Sequence, residues 1–171
     1  MPSNVEVKAR VRNYEALSAR AREISDSPVE VIRQVDTFFV TAEGRLKLRE
    51  PDAGRAQLIY YERPDQDGPK RSDYTIFETP DPGPLKSVLS RALGVRGTVE
   101  KVRHLYMVGQ TRVHLDEVKG LGNFMELEVV LRSDQSDQEG RLIAEQLLAS
   151  LGVEQGDLVE SAYMNLLEPG R

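Results

Sequence analysis

The sequence predicts an α+β fold dominated by antiparallel strands, with charged faces turned inward and apolar faces lying beneath helices. Period-two alternation of apolar and polar residues recurs from the first residues to about position 132, while helical spacing is confined to four short stretches. A two-residue turn at Gly109 and Gln110 fixes the register of one strand pair and so says which side chains share a face.

Taken in order, Val5, Val7, Ala9 and Val11 alternate with Asn4, Glu6, Lys8, Arg10 and Arg12, the pattern of a strand with one apolar face. Helical spacing over 14–24 follows a capping Asn13. Short strands rich in Val, Tyr, Phe and Thr read at 29–34, 36–41, 45–50, 56–63 and 72–77. Leu85, Val88, Leu89, Ala92 and Leu93 form a helical stripe that stops at Gly94. Strands resume at 97–108, 111–118 and 123–132, and helices close the chain at 142–151 and 158–167, the last capped by Asp157. The Pro/Gly-rich pieces at 51–55, 64–71 and 80–84 are loop-sized and none reads as a linker.

At 171 residues one domain spanning 1–171 is expected. The absence of cysteine excludes disulfides, and with no leader-like start and no apolar run near the roughly 18 residues of a membrane span, a cytoplasmic, membrane-free location is expected. The net charge of −5 is spread through interspersed acids and bases, which argues against nucleic acid as a partner. Any anion site must be built locally.

Charged residues repeatedly take alternate strand positions: Arg45, Lys47 and Arg49; Lys101 and Arg103; Arg112, His114 and Asp116; Glu126 and Glu128. For any single strand a solvated sheet face explains this. Counting outward from the turn pairs Val108 with Thr111, Met107 with Arg112, Leu105 with His114 and Arg103 with Asp116. Lys101, Arg103, Arg112, His114 and Asp116 then share one face, with Arg103 and Asp116 as a cross-strand ion pair. The other face, carrying Val102, His104, Tyr106 and Val108 against Val113, Leu115 and Glu117, is mostly apolar, suits packing beneath helices and leaves the charges inside. Enclosed charges cost desolvation energy unless something matches them. A triphosphate would do so, through Arg and Lys donors, while carboxylates hold Mg²⁺ or Mn²⁺ through oxygen.

The opening Asn4-Val5-Glu6-Val7-Lys8 resembles the Glu-x-Glu-x-Lys signature of CYTH proteins, the group containing class IV adenylyl cyclases and thiamine triphosphatases. The resemblance continues through Gln34 to Phe39, Gly44 to Arg49, Tyr61 to Pro64, Val99 to Arg103, Arg112 to Asp116, Leu121 to Val129 and the closing Ser161-Ala162-Tyr163. It implies a triphosphate tunnel: a closed eight-stranded antiparallel β-barrel, open at both ends, charged inside and flanked by helices. The segments 29–34 and 36–41 should merge or include a piece outside the barrel.

By the same resemblance Lys8, Lys47, Arg49, Arg63, Lys101 and Arg103 bind the triphosphate, joined by Arg112 unless that residue is a surface arginine. Glu6, Asp116, Glu126 and Glu128 are the implied metal-binding acids, although Asp116 could instead orient Arg103. Lys8 and Glu6 are the implied catalytic pair. His114 is expected as a spacer or hydrogen-bonding residue rather than a proton shuttle. Arg10, Arg12 and Arg45 are expected at the surface; Phe38, Phe39, Tyr60 and Tyr61 in the core or wall, one of them able to stack on a base. Ser161 and Tyr163 belong to a closing segment that approaches the tunnel. Asn4 departs from the signature's first glutamate and, being neutral, weakens any second metal site there.

The nearest subgroup is class IV adenylyl cyclase, which implies conversion of ATP to cyclic AMP and pyrophosphate with Mg²⁺ or Mn²⁺. The alternatives are a triphosphatase acting on inorganic, thiamine or nucleoside triphosphate, and a non-catalytic module that binds triphosphate or polyphosphate. A closed barrel has no free edge, so nothing in the strands themselves calls for a dimer.

Overall fold

The computed structural model describes residues 2–66, 68–160 and 162–167. In chain order it runs β1 (Ser3–Arg10), α1 (Tyr14–Ile24), β2 (Glu30–Phe39), β3 (Arg45–Pro51), β4 (Ala56–Glu62), β5 (Lys70–Thr79), α2 (Pro82–Leu93), β6 (Val95–Val108), β7 (Thr111–Val118), β8 (Gly122–Val130), α3 (Asp137–Leu151), β9 (Leu158–Val159) and α4 (Tyr163–Leu167). Neighbouring strands follow the order β5-β4-β3-β2-β6-β7-β8-β1-β9, and β5 pairs again with β1. Eight strands therefore close into an antiparallel barrel, with β9 outside the ring. The seam is short, running from Ser3 opposite Asp73 to Glu6 opposite Lys70.

The turn at Gly109 sets the expected register, with Val108 opposite Thr111, Leu105 opposite His114 and Arg103 opposite Asp116. Gly109 sits at φ 56°, a left-handed conformation that glycine adopts without steric cost. The segments 29–34 and 36–41 are one strand, β2, because Val35 continues the ladder opposite both Glu50 and Glu100.

The apolar core lies outside the barrel. Val5 and Val7 of β1, Val113 and Leu115 of β7, and Met125, Leu127 and Val129 of β8 pack against Leu17 and Ala21 of α1 and Ala144, Leu148 and Leu151 of α3. A smaller cluster sets Leu85 and Leu89 of α2 over Phe39, Leu48 and Ala56. With the helices taking one face of each strand, its alternate residues must point into the lumen. α3 approaches closely: a Cβ added at Gly140 would lie 2.6 Å from Leu131 Cδ2 and 2.7 Å from Val5 Cγ2.

Helix starts follow local chemistry. The Asn13 side chain accepts from the Ala16 N–H at 3.1 Å, and Ser136 and Glu139 form a reciprocal capping box at α3. The end of the chain differs from the expected helix over 158–167. Residues Gln155–Asp157 form a single 3₁₀ turn, Leu158 and Val159 pair with Ala9 and Lys8, and only Tyr163–Leu167 is helical. Asp157 is drawn away from capping that helix, because its carboxylate accepts from Arg12 and from the Glu154 N–H. This also places Arg12 beyond β1, on the outside of the molecule. No described helix is long and apolar enough to cross a membrane.

Candidate active site

The inward-facing residues enclose a cavity of about 480 Å³ that reaches from Glu30 to Phe38, the two ends of β2. Each strand contributes alternate side chains: Asn4, Glu6 and Lys8 from β1; Gln34, Asp36 and Phe38 from β2; Lys47 and Arg49 from β3; Lys101 and Arg103 from β6; Arg112 and His114 from β7; Glu126 and Glu128 from β8. One opening is bordered by exposed Val31 and Ile76, with Ile32, Tyr74 and Leu105 behind them. At the other end lie Phe38, Ala162 and Tyr163, and a second space of about 560 Å³ shares Phe38, Tyr61 and Arg63 with the first and adds Arg45, Asp65 and Arg96.

All the cations expected to bind triphosphate line this one cavity. Each of them is held by an acid. Asp36, 1% exposed, accepts both Arg49 Nε and Nη2 at 3.0 Å and lies 3.8 Å from Lys47 Nζ and 3.7 Å from Lys101 Nζ. Arg103 makes a fork to Asp116, two bonds of 2.8 Å, and reaches Glu126 as well. Arg63 is bonded to Glu6, Lys8 Nζ stands 3.7 Å from Glu126, and Arg112 Nε donates to Glu128 at 3.0 Å.

Crowding and burial perturb these groups. Loss of water pushes Lys8 and Lys47 down to about 7, helped by the neighbouring cations Arg63 and Lys101 for Lys8 and Arg49 and Lys101 for Lys47. Lys101 is lowered for the same reasons. Burial opposes ionisation of the acids, but positive charge wins: Arg49, Lys101 and Lys47 hold Asp36 far below the usual carboxylate range, and His114, which is charged only in acid, together with Arg112 and Arg103 holds Glu128 down at about 2. Burial next to Arg103 pushes His114 down to about 3, so its imidazole is neutral across the physiological range.

Among the described residues, His114, Glu126 and Glu128 offer ligand atoms that all lie within 4.8 Å of one another. The donor set suits a divalent ion, and it contains an orphaned atom: His114 Nδ1 is buried without a hydrogen-bond partner. The expected metal-binding acids thus divide. Glu126 and Glu128 come together; Glu6 is held by Arg63; Asp116 is fully buried behind Arg103, with one oxygen also accepting from Tyr163 Oη at 2.8 Å. That geometry is the orienting alternative for Asp116. Arg112 faces the cavity, while Arg45 reaches the second space and bonds Asp65 at 2.8 Å. Ser161 lies outside the described residues.

Sequence reasoning passed over Asp36, the acid that organises three of the cations. Breaking β2 at residue 35 hid the parity that puts Gln34, Asp36 and Phe38 on one face. Tyr163 is more than helix packing: its ring lies 3.7 Å from Lys8 Nζ and 4.9 Å from Lys101 Nζ. Lys70, placed in a loop by its Pro/Gly-rich surroundings, begins β5 and ties down the carbonyls of Gln66 and Glu160. Asn4 faces the cavity with its Oδ1 unpartnered.

Fold and site together define a closed barrel with a cation-rich lumen and, on one wall, two acids and a histidine close enough together to share a divalent ion. The CYTH domain model matches residues 3–163, and the chain belongs to that family of metal-dependent, triphosphate-binding tunnel proteins. No curated protein matches the sequence. Among solved structures, it is similar to the PH1012 protein from Pyrococcus horikoshii OT3 (25% identity, TM-score 0.84, covering 95% of this chain and 98% of that one). It also resembles a Vibrio parahaemolyticus protein described as "a putative adenylate cyclase" (21% identity, TM-score 0.81, coverage 96% and 97%). A Hippeastrum "putative adenylyl cyclase", said to reveal a dominant triphosphatase activity, shares the fold at 18% identity and TM-score 0.69, with coverage of 98% and 96%.

Proposed function

We propose that this protein is an adenylyl cyclase of the class IV type, converting ATP to cyclic AMP and pyrophosphate in its tunnel. The observation that carries this reading is the polarity of the lumen. The opening bordered by Val31, Ile32, Ile76, Leu105 and Tyr74 offers apolar contact to a base and ribose, with Glu30, Asp52, Arg55 and Gln57 beside it as polar partners. Leu105 pairs with His114, and Arg112 lies against Tyr74 and Glu128, so the acids stand next to that opening. A nucleotide entering there base-outward sets its α-phosphate beside Glu128 and Arg112. Its β- and γ-phosphates then run inward to Arg49, Arg103, Lys47, Lys101, Lys8 and Arg63.

Glu126 and Glu128 would hold a divalent ion, which supplies charge neutralisation at the phosphate that reacts. The protein's own contribution is positioning and a fixed positive lining, which is most of what phosphoryl and nucleotidyl transfer require. Arg49 and Arg103, gripped by Asp36 and Asp116, present fixed donors to the chain of phosphates. Lys8 and Lys47 gain full charge as the polyanion arrives, strengthening the hold on the leaving pyrophosphate. Glu6 keeps Arg63 aimed into the lumen.

Hydrolysis is the second reading, favoured by the same opening: its apolar residues offer contact to any ring, so thiamine or another nucleoside triphosphate fits it as adenosine does. Incubating the protein with ATP and with inorganic triphosphate, in Mg²⁺ and then Mn²⁺, and separating the products by chromatography tests both. Cyclic AMP with pyrophosphate is expected; ADP or orthophosphate in their place would make the protein a triphosphatase. Tight binding without turnover would make it a binding module.

A further inference from the structure

We propose that His114 is a metal ligand, completing with Glu126 and Glu128 a mixed nitrogen–oxygen site that takes Mn²⁺ or a similar transition ion in preference to Mg²⁺. This deepens the functional reading above, on which it rests for the presence of a metal, and changes the role expected of His114 from spacer to ligand.

The geometry is specific. β7 and β8 pair so that His114 stands opposite Glu126, with Glu128 two residues along the same face. Leu105, the residue opposite His114 on the other side, offers the ring no polar partner. The side chain is 5% exposed, and Nδ1 lies 3.5 Å from Glu128 Oε1 without forming a hydrogen bond. An unpaired ring nitrogen buried at this depth is costly unless something else satisfies it. A separation of 3.5 Å is close to that of two donors sharing one ion, each at about 2.0–2.2 Å. The fixed cations on this wall account for the acids but not for the imidazole: Arg103 and Arg112 turn their donors to Glu126 and Glu128, and the nearest acceptor, Glu128 Oε1, makes no hydrogen bond to Nδ1 at 3.5 Å.

Donor identity then sets the metal. Mg²⁺ favours all-oxygen octahedra and parts reluctantly with water, whereas an imidazole nitrogen raises affinity along the series from Mn²⁺ towards Zn²⁺. Two carboxylates alone would suit Mg²⁺, Ca²⁺ and Mn²⁺ alike, so the imidazole is what tips the preference.

The test uses Mn²⁺ alone, without nucleotide. Pulsed EPR of the Mn²⁺-loaded protein should show nitrogen hyperfine coupling that changes when histidine is labelled with ¹⁵N. The assignment is clean because the chain has two histidines and the other, His104, sits on the outer face bonded to Tyr14. His104→Gln should keep the coupling. His114→Leu should abolish it and weaken Mn²⁺ binding in calorimetry by more than about tenfold, since even outer-shell partners of a metal are worth that much, while Mg²⁺ binding changes far less. Absence of histidine coupling in the wild-type protein would overturn the proposal without reliance on any variant, as would an unchanged Mn²⁺ to Mg²⁺ affinity ratio in a folded His114→Leu protein. Histidine coupling in a protein that turns over no triphosphate would leave this site standing and remove the enzymatic reading. Turnover with a metal site lacking nitrogen would do the reverse.

Discussion

Lys8 and Lys47, pushed down to about 7, are partly neutral in the free protein at physiological pH. Binding a triphosphate restores their charge, so association should take up protons, and affinity should fall as pH rises above about 7. Calorimetry in two buffers of different ionisation enthalpy measures that uptake directly; equal apparent enthalpies would refute it. The same depression affects stability. Between about 7 and the unperturbed 10.5 the unfolded chain binds more protons at these lysines than the folded one, so their contribution rises with pH across that window. Glu128 acts at the acid end: its stabilising contribution is present above 4.5 and is lost as pH falls towards about 2. Removing Asp36 strands Arg49, Lys47 and Lys101 without their shared counter-charge. Asp36→Ala should cost about 3–5 kcal/mol in urea unfolding, the range for breaking a buried ion pair, with part of the loss recovered when inorganic triphosphate is present. Glu128→Ala should abolish metal-dependent turnover while a cooperative thermal transition persists.

At the scale of elements, the barrel is inside-out because its helices occupy the apolar faces. α3 depends on Gly140 to come close enough to β1 and β8. Gly140→Ala gains up to about 1 kcal/mol in helix propensity but forces a methyl into Val5 and Leu131, an overpacking cost of about 1–3 kcal/mol. Net destabilisation is expected in denaturant titrations, and a stabilised variant would show that α3 can shift away freely. Most elements were legible beforehand, since α1, the Gly109 turn and the strands after it are announced by local periodicity, Asn13 and Gly109. The closing helix was not. Leu158 and Val159 belong to β9 because β1 offers a free ladder there, and Asp157 is captured by Arg12 from the far end of the chain. Neither partner is visible in a local window.

Considered whole, the molecule encloses a cluster of cations held apart by fewer acids, with a cavity between them sized for an elongated anion. A bound polyanion relieves that repulsion in the folded state and has no such site in the unfolded chain. A slowly hydrolysed ATP analogue at 100 times its dissociation constant should therefore stabilise the protein by about 2.7 kcal/mol. That corresponds to an increase in Tm of about 5–10 °C for a chain of this size. The increase should shrink in Lys47→Ala and Arg49→Ala, and an unchanged melting curve in saturating analogue would argue against the tunnel as the binding site.

By itself the sequence determined the alternation of most strands, β2 excepted, the register of the β6–β7 pair and which cations face the lumen, because these depend on parity, one tight turn and residue type. Tertiary structure decided which acids serve which partners. Glu126, Glu128 and His114 converge, Asp116 is spent on Arg103 and Tyr163, and Asp36 gathers Arg49, Lys47 and Lys101. Those choices depend on barrel closure and strand stagger, which bring residues far apart in the chain to within a few ångströms, where electrostatics and the loss of water assign each charge its partner.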